Sequence, residues 1–456
     1  MGNRRLYPME EMMPERRTHD DTATNSKYAV DTGLSRQGVK GASCMLQMHH
    51  FDIVDGFVVE YMHAALLGVV KQFLSLWTDP ANHDKCFFID RYALDKLTER
   101  LLAIKPPRDV GFLPRSLDLR HQWKPAEFKY FLLLYSPVIL QGALPSTHYL
   151  HWLLFVNGIH LLMGTSISVE DLEKADLCLL KFVRLVPQLY GIESASYNTH
   201  LLTHMATSVE NWGSLWATSA FMFKDASKLL LEPFSGTRPT PKLIMKQFLA
   251  QRQLRQVADE VMANSPDDSQ TLFRQLMGVI PPVKDIVQLS SVCKGIGLAS
   301  RRTLTVQERM AVEQLLDADL IDHEGAYFDR FMVGEKLFTT SAYAAGMKRD
   351  DSIVIMQGRR QVIGRILKCV ALTPACTCTA LCTCPLVCAV IMRKLRVRKN
   401  SQAYDDFVEM DLRSFLLNVV GEGYMFACYP ENILEKCIIV EQTNSSVYVL
   451  RLPVCE

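Results

Sequence analysis

Residues 52–70 read "DIVDGFVVEYMHAALLGVV". From Phe57 onward the segment is apolar on every side, which is typical of a helix that is buried all round. Glu60 and His63 interrupt it, and their three-residue spacing places them on one face of a helix. E-x-x-H is also a spacing with which helical bundles hold metal ions, and the alternative is a hydrogen-bonded polar pair in the core. The stretch predicts a core helix over 57–77, with Glu60 and His63 as candidate site residues.

Composition narrows the class of protein. The chain has 456 residues, 48% of them hydrophobic and 22% charged, which is enough for a large core and two or three domains. Because the net charge is only +1, any positively charged surface that binds nucleic acid must be confined to one part of the protein. No membrane span is expected, because the most apolar run contains Glu60, His63 and Lys71. Without an apolar leader, and with 13 scattered cysteines, the sequence predicts reduced thiols in the nucleus or cytoplasm.

Composition and hydrophobic periodicity divide the chain into four parts. Residues 1–40 are polar and aperiodic, which predicts a flexible lead-in. Residues 41–262 read as nearly all helix after a loop and a short strand at the start. Residues 263–324 are weakly patterned and predict a helical linker. Residues 325–456 contain short β-branched and aromatic runs between glycine turns, which predicts a β-rich C-terminal domain.

Residues 41–262 contain clear signals for where helices start and stop. Ser168 followed three residues later by Asp171 is typical of a helix N-terminus, and "KPPRD" at 105–109 breaks a helix. The predicted helices are 57–77, 88–104, 124–141, 146–163, 168–189, 197–210 and 240–262.

Two further patterns suggest metal ligands. "HLLTH" places His200 and His204 one helical turn apart, but Leu201 stands where the zinc-protease motif needs Glu, so packing or capping is favoured. "CTCTALCTCPLVC" at 376–388 contains a run of closely spaced cysteines, and C-x-C spacing suits thiolate clusters. Zinc sites more often use pairs separated by two to four residues, so a loop or ragged strand is the alternative. The candidate metal ligands are Cys376, Cys378, Cys382 and Cys384.

A local basic stretch follows the cysteines. Residues 358–399 contain nine Lys or Arg and no Asp or Glu. If "MRKLRVRK" is a strand, Lys394, Arg396 and Arg398 lie on one face, with Arg393 beside them. Such a face can follow nucleic-acid phosphates, and a solvated strand face is the alternative. Arg393, Lys394, Arg396 and Arg398 are the candidate nucleic-acid-binding residues.

Several blocks of the chain resemble the animal branch of the CACTA (En/Spm)-like DDE transposases. The most distinctive runs from "GVKGASCMLQMHHFDIVDG" through "EYMHAALLGVVKQFLSLW". The likeness continues through "IKPPRDVGFLPRSL", "WKPAEFKYFLLLYSPVIL", "YNTHLLTH" and "NWGSLWATSAFMF", and resumes at "YFDRFMVGEKLFTTSAYAAGMKRDDSIVI". It covers roughly residues 17–240 and part of the β-rich tail, in the order expected for the family.

The resemblance implies a fold and a chemistry. The expected fold class is α+β and mainly helical: a partial RNase H-like core within 41–262, a large helical insertion at about 80–210, and a β-rich C-terminal domain. In such enzymes three carboxylates hold two divalent metals, which activate water and then a DNA 3′-hydroxyl. The expected cofactor is therefore none, or Mg²⁺ or Mn²⁺ where another segment or subunit completes the site.

The chain departs from the family at the metal ligands. The first carboxylate is expected on a strand upstream of Met1, the second falls on Glu60 instead of Asp, and the third falls on Lys224. Replacing Asp by Glu displaces the carboxylate by more than ~1 Å, enough to cost about a hundredfold where geometry is strict. Lys224 places a cation where the metals need an anion. A degenerate triad is therefore expected, with Lys224 close enough to Glu60 to form an ion pair.

Three functions stay open at this point. The first is a transposase-derived pseudoenzyme that does not cut or join DNA but retains DNA or protein binding. The second is an active metal-dependent DDE nuclease or transposase completed by an N-terminal region or a partner. The third is a scaffold for a cysteine-cluster metal site. The expected partners are DNA, further copies of this chain, or related transposase chains.

Overall fold

The structure is a computed structural model of the 456-residue chain. It describes residues 5–9, 15–231, 240–277, 285–320, 324–358, 361–372, 386–398, 403–405, 408–410, 415–441 and 446–452. Helices fill the first part of this chain, and strands fill most of the last part.

Two π-helices and fourteen α-helices are assigned within the described residues. The π-helices are Met62–Val70 and Phe131–Tyr135. The α-helices, α1 to α14 in chain order, are His19–Thr32, Lys71–Thr78, Arg91–Ala103, Pro125–Tyr130, Ser136–Ile139, Ser146–Leu162, Val169–Tyr190, Tyr197–Leu201, Met205–Trp212, Phe221–Leu231, Pro241–Met262, Asp267–Leu276, Val306–Leu316 and Ser341–Ala345.

Local sequence signals account for many of the helix ends. The Ser168 hydroxyl accepts the Asp171 N–H at the start of α7, as the sequence predicted. The Thr18 hydroxyl does the same for the Asp21 N–H at the start of α1, a helix inside the segment that was expected to be a flexible lead-in. Of the helices in the described part of the chain, none has the combination of length and apolar character needed to cross a membrane.

The predicted RNase H-like core is wrong. Between residues 15 and 277 the described residues contain no strand, so the segment that was expected to hold an RNase H-like sheet forms none. Phe73 lies instead among aromatic rings of other helices, 5.9 Å from Trp152 and 5.2 Å from Phe182 between centroids. An all-round apolar pattern shows that a helix is buried, but a sheet and a layer of helices bury it equally well. The periodicity therefore could not separate the two folds.

Strands begin at Ile286, inside the segment that was expected to be a helical linker. Numbered β1 to β14 in chain order, they are Ile286–Gln288, Cys293–Ile296, Ser300–Thr303, Glu324–Phe328, Arg330–Val333, Lys336–Thr339, Ile353–Met356, Val362–Leu372, Val387–Arg398, Ala403–Asp405, Val408–Met410, Leu416–Cys428, Ile433–Glu441 and Val447–Arg451.

Six of these strands close into an antiparallel barrel in the order β8-β7-β13-β14-β12-β9, and β9 pairs back with β8. All six contribute to one apolar cluster, which is therefore the barrel interior; its members include Ile353, Ile363, Leu395, Leu417, Cys437 and Val449. Strands β1, β2, β5 and β6 form a separate four-stranded sheet. The fold is thus mixed α+β with a closed barrel, in place of the predicted RNase H-like sheet.

The barrel and the helices share one hydrophobic core. Phe415, Leu416, Ile438 and Leu450 from the barrel region belong to the same buried cluster as the helical side chains. The Phe415 ring stacks on the His160 ring, with centroids 4.2 Å apart. Burial lowers the pKa of His160 to about 4, which keeps the imidazole neutral inside this core.

Candidate functional site

Glu60 lies just before the first turn of the Met62–Val70 π-helix, and backbone donors surround its carboxylate. Oε1 accepts the N–H groups of Met62 at 3.0 Å and Ala220 at 2.9 Å. Oε2 accepts the His63 N–H at 2.9 Å and contacts His63 Nδ1 at 2.5 Å. Burial raises the pKa of Glu60, but the hydrogen bonds from Ala220, His63 and Met62 outweigh it and lower the pKa. The carboxylate is thus an ionised cap on this helix and an anchor for the segment at Ala220.

His63 is the outer member of this pair. Its side chain is 62% exposed, whereas that of Glu60 is 24% exposed. The sequence correctly brought the two residues together, but it predicted that both are buried and that Glu60 lies within the helix, whereas Glu60 precedes it. The exposed imidazole contacts the carboxylate from the solvent side and does not extend the pair into the core.

Lys224 lies on α10, the helix that begins next to the Glu60 carboxylate. The Lys224 N–H donates to the Ala220 carbonyl, so Lys224 is one helical turn from the residue that Glu60 holds. Its side chain is exposed. In the part of the chain that the structure describes, no ion pair joins Lys224 to Glu60, so the expected pairing is wrong. The reason is that backbone N–H groups already satisfy the carboxylate, while the ammonium stays in water.

These residues do not fit a two-metal centre. Such a centre needs several carboxylates whose oxygens converge on each ion. Among the described residues, the only group of three or more Cys, His, Asp or Glu side chains with ligand atoms within 4.8 Å of one another consists of cysteines. Glu60 therefore belongs to no such group among the described residues, and its own oxygens accept from N–H donors. We derive no catalytic step through Mg²⁺ or Mn²⁺.

Three segments that are far apart in the sequence meet around the 52–70 stretch. The Trp212 indole N–H donates to the Asp55 carbonyl at 2.9 Å. A Cβ atom built on Gly68 would lie 2.6 Å from the Asn198 side chain, so only glycine fits there. With the Ala220–Glu60 hydrogen bond, these contacts bring the "EYMH", "YNTH" and "NWGSLW" segments into one structural unit.

His200 and His204 face each other within that unit. Their Nε2 atoms lie 3.3 Å apart, and burial lowers the pKa of each. Two neutral imidazoles in contact fit the packing role that the sequence favoured. The described residues offer them no carboxylate or cysteine as a third metal ligand.

The basic stretch forms part of barrel strand β9. Arg393 Nε lies 3.6 Å from a Glu422 carboxylate oxygen, so this candidate is held in an ion pair. Arg396 and Arg398 are exposed, and Lys394 is half-buried. No ion pair within the described ranges involves these three cations. The structure therefore separates Arg393 from the other candidates.

Aromatic side chains of the neighbouring strand β12 adjoin these cations. Lys394 Nζ lies 5.3 Å from the centroid of the Tyr424 ring, a cation–π distance. Tyr424 is 65% exposed, and its ring lies 6.0 Å from that of Phe426. We call Lys394, Arg396, Arg398, Tyr424 and Phe426 the β9–β12 face. No sequence pattern connects Tyr424 with the basic run, because their contact depends on strand register.

The cysteine candidates Cys376, Cys378, Cys382 and Cys384 lie outside the described residues. Cys388, the last cysteine of that run, is described and lies in strand β9. Its sulfur is 3.6 Å from Cys293 and 3.8 Å from Cys369, and all three residues are buried. Hydrogen bonds from the Cys369 and Cys388 thiols lower the pKa of Cys293, and the hydrogen bond with Cys293 raises the pKa of Cys369 and of Cys388. Cys293 and Cys369 were missed because no local spacing connects them to Cys388.

Comparison with known proteins does not assign this chain to a family. No protein-family model, no curated protein and no solved structure matches this chain. The fold and the sites define an α+β protein in which a helical unit and a closed barrel share a core.

Proposed function

We propose that this protein derives from a CACTA-like transposase and works by binding instead of by cutting or joining DNA. The observation that carries the proposal is the state of Glu60. Its carboxylate is used by three backbone N–H groups and by His63. The residue at the family's third carboxylate position is the exposed Lys224. The geometry supports a structural role for a position that the resemblance makes catalytic.

The family resemblance enters the proposal through the contacts between its segments. The matching stretches lie far apart in the sequence, yet they meet around residues 52–70 through the Asp55, Glu60 and Gly68 contacts. Segments inherited together would keep their mutual packing after catalysis was lost, because packing errors at buried positions cost free energy of unfolding. This packing supports descent from the family, although the described residues between 15 and 277 lack the RNase H-like sheet that the resemblance implied.

A nuclease and stability comparison tests the role of Glu60. The full chain is incubated with plasmid and oligonucleotide DNA in Mg²⁺ or Mn²⁺, beside Glu60→Gln and Glu60→Ala variants. We expect no metal-dependent cleavage or joining by any of the three proteins. We expect Glu60→Ala to lower the free energy of unfolding by about 1–3 kcal/mol, because three N–H groups lose a charged acceptor.

Glu170→Gln is the matched control, since the Glu170 side chain is 76% exposed and pairs only with a neighbouring lysine at the helix surface. Its stability should change by less than ~0.5 kcal/mol. Metal-dependent cleavage by the unaltered chain that disappears in Glu60→Gln would contradict the proposal and favour the active-nuclease alternative.

The β9–β12 face favours a specific binding partner, single-stranded nucleic acid. Alternate residues on a strand lie ~6.6 Å apart, so Lys394, Arg396 and Arg398 form a linear row of positive charge. Proteins that bind single strands combine such a row with aromatic side chains on which bases stack. Tyr424, exposed beside Lys394, supplies such a ring. Duplex DNA offers no unstacked base to this tyrosine, and so the face fits a single strand better.

Binding to a labelled oligothymidylate and to a duplex of the same length tests this partner. We expect the single strand to bind more tightly, and Tyr424→Ala to weaken it by roughly 5- to 150-fold, the equivalent of 1–3 kcal/mol for one stacked base. Replacing Lys394, Arg396 and Arg398 with glutamine should reduce the slope of log affinity against log salt by about 2.

The helical unit offers a matched control for this experiment. Lys96 Nζ lies 4.1 Å from the centroid of the exposed Tyr92 ring, a similar cation–π pair far from the barrel in sequence. Lys96→Gln and Tyr92→Ala should leave the affinity unchanged. Equal affinity for the duplex, or equal losses in the control variants, would rule out the β9–β12 face as a single-strand site.

A further inference from the structure

The cluster of Cys293, Cys369 and Cys388 lies between two β layers. Cys369 and Cys388 come from adjacent barrel strands, β8 and β9, while Cys293 comes from β2 of the four-stranded sheet. The surrounding cluster is apolar and includes Phe328, Phe331, Phe338, Val390 and Met392. Three sulfur atoms from three strands thus converge in a closed hydrophobic layer.

The sulfur spacing matches that of ligands around one metal ion. Metal–thiolate bonds of ~2.3 Å place sulfurs roughly 3.8–4.0 Å apart, whether the ion is four- or three-coordinate. The observed separations are 3.6 Å for Cys388–Cys293 and 3.8 Å for Cys369–Cys388, and all three sulfurs lie within 4.8 Å of one another. Little movement of the side chains is needed to hold an ion.

The number and type of ligands select the ion. Within the described residues no histidine, carboxylate or fourth cysteine joins the group, whereas closed zinc sites use four ligands. Soft thiolates favour Cu(I), zinc and iron–sulfur clusters, and a group of three thiolates falls short of the four ligands that zinc and iron–sulfur sites use. We propose that Cys293, Cys369 and Cys388 bind one Cu(I) ion in a three-sulfur site that ties the four-stranded sheet to the barrel. The ion displaces thiol protons as it binds, so affinity rises with pH and protons are released.

Anaerobic titration of the reduced full chain with Cu(I), against a chromogenic Cu(I) chelator, tests this site. We expect one tightly bound ion per chain, and more than ~100-fold weaker binding in Cys293→Ala, because even loss of a group that only orients a ligand costs about 10- to 100-fold. Cys437→Ala is the matched control: this cysteine is equally buried, but it lies in the barrel interior. It should bind Cu(I) as the unaltered chain does.

A second variant keeps the test decisive if Cys293→Ala does not fold. Replacing Cys376, Cys378, Cys382 and Cys384 with serine leaves the three-sulfur site intact, and X-ray absorption of its copper complex should show three sulfur neighbours. Loss of the ion in this variant would assign binding to the 376–384 run. That result, unchanged binding by Cys293→Ala, or four sulfur neighbours would each overturn the proposal.

Discussion

Lys436→Met is expected to lower the free energy of unfolding by about 3–5 kcal/mol, the usual cost of leaving a buried charge without its partner. Lys436 in strand β13 is 4% exposed, and its Nζ lies 3.0 Å from Asp351 Oδ1 and 2.6 Å from Asp109 Oδ2. The Asp351 side chain is 2% exposed. Without the ammonium, this carboxylate stays buried beside the acidic Asp109, and its remaining cation is the half-exposed Arg108 guanidinium, whose Nε lies 3.8 Å away.

Tryptophan fluorescence during denaturant unfolding measures the free energy of unfolding of Lys436→Met, and it also shows whether a change in the barrel destabilises the helical unit. All 5 tryptophans of the chain precede residue 217, so they report on the helical unit while the substitution lies in the barrel. Lys85→Met is the control, because its ion pair with Asp84 is exposed on both sides, and it should cost less than ~1 kcal/mol. A Lys436→Met variant as stable as the unaltered chain would show that the buried pair has no net role.

The Lys436 network joins the helical unit to the segment that leads into the barrel. The Arg108 N–H donates to Asp351 Oδ1 at 2.9 Å, and the Arg349 guanidinium donates to the carbonyl of Pro107 at 2.8 Å. The "IKPPRDVGF" loop of the helical unit therefore packs against the "GMKRDDSIVI" segment, which leads into the barrel, through hydrogen bonds within one chain. Their polar residues have an architectural role here.

Phe415→Ala is expected to cost a similar amount, about 3–5 kcal/mol, since truncating a buried phenylalanine removes its contacts and leaves a cavity. Phe415 is 0% exposed, and its ring stacks on His160 of α6. Because the two units share this core, we expect a single unfolding transition whose midpoint falls by the same amount in tryptophan fluorescence and in far-ultraviolet circular dichroism.

Val420→Ala is the control for Phe415→Ala, because Val420 lies on the following strand and is 56% exposed. It should change stability by less than ~0.5 kcal/mol. If Phe415→Ala shifted the dichroism transition and left the tryptophan transition in place, the barrel would be an independent domain. That is the arrangement which the sequence predicted for residues 325–456.

The candidate site was only partly accessible from sequence. Glu60 and His63 were placed together because a spacing of three fixes proximity on any helix. The Ala220 N–H that holds Glu60 was not identified, since its distance from Glu60 depends on how two segments 160 residues apart in the chain pack. Likewise, the sequence shows that Lys224 is a cation, but it does not show where its side chain points in the folded protein.

The sequence alone determined most of the long helices and the change to strands, although it missed α1 and the strands that begin at Ile286. Helices such as Val169–Tyr190 and Pro241–Met262, and the change from helical to β texture, follow from periodicity and capping, which act over a few neighbouring residues. The tertiary structure decided barrel closure, the burial of Lys436 beside Asp351 across 85 residues, and the meeting of Cys388 with Cys293 across 95. Strand register and layer packing fix those contacts, and both are properties of the whole folded chain that no local pattern encodes.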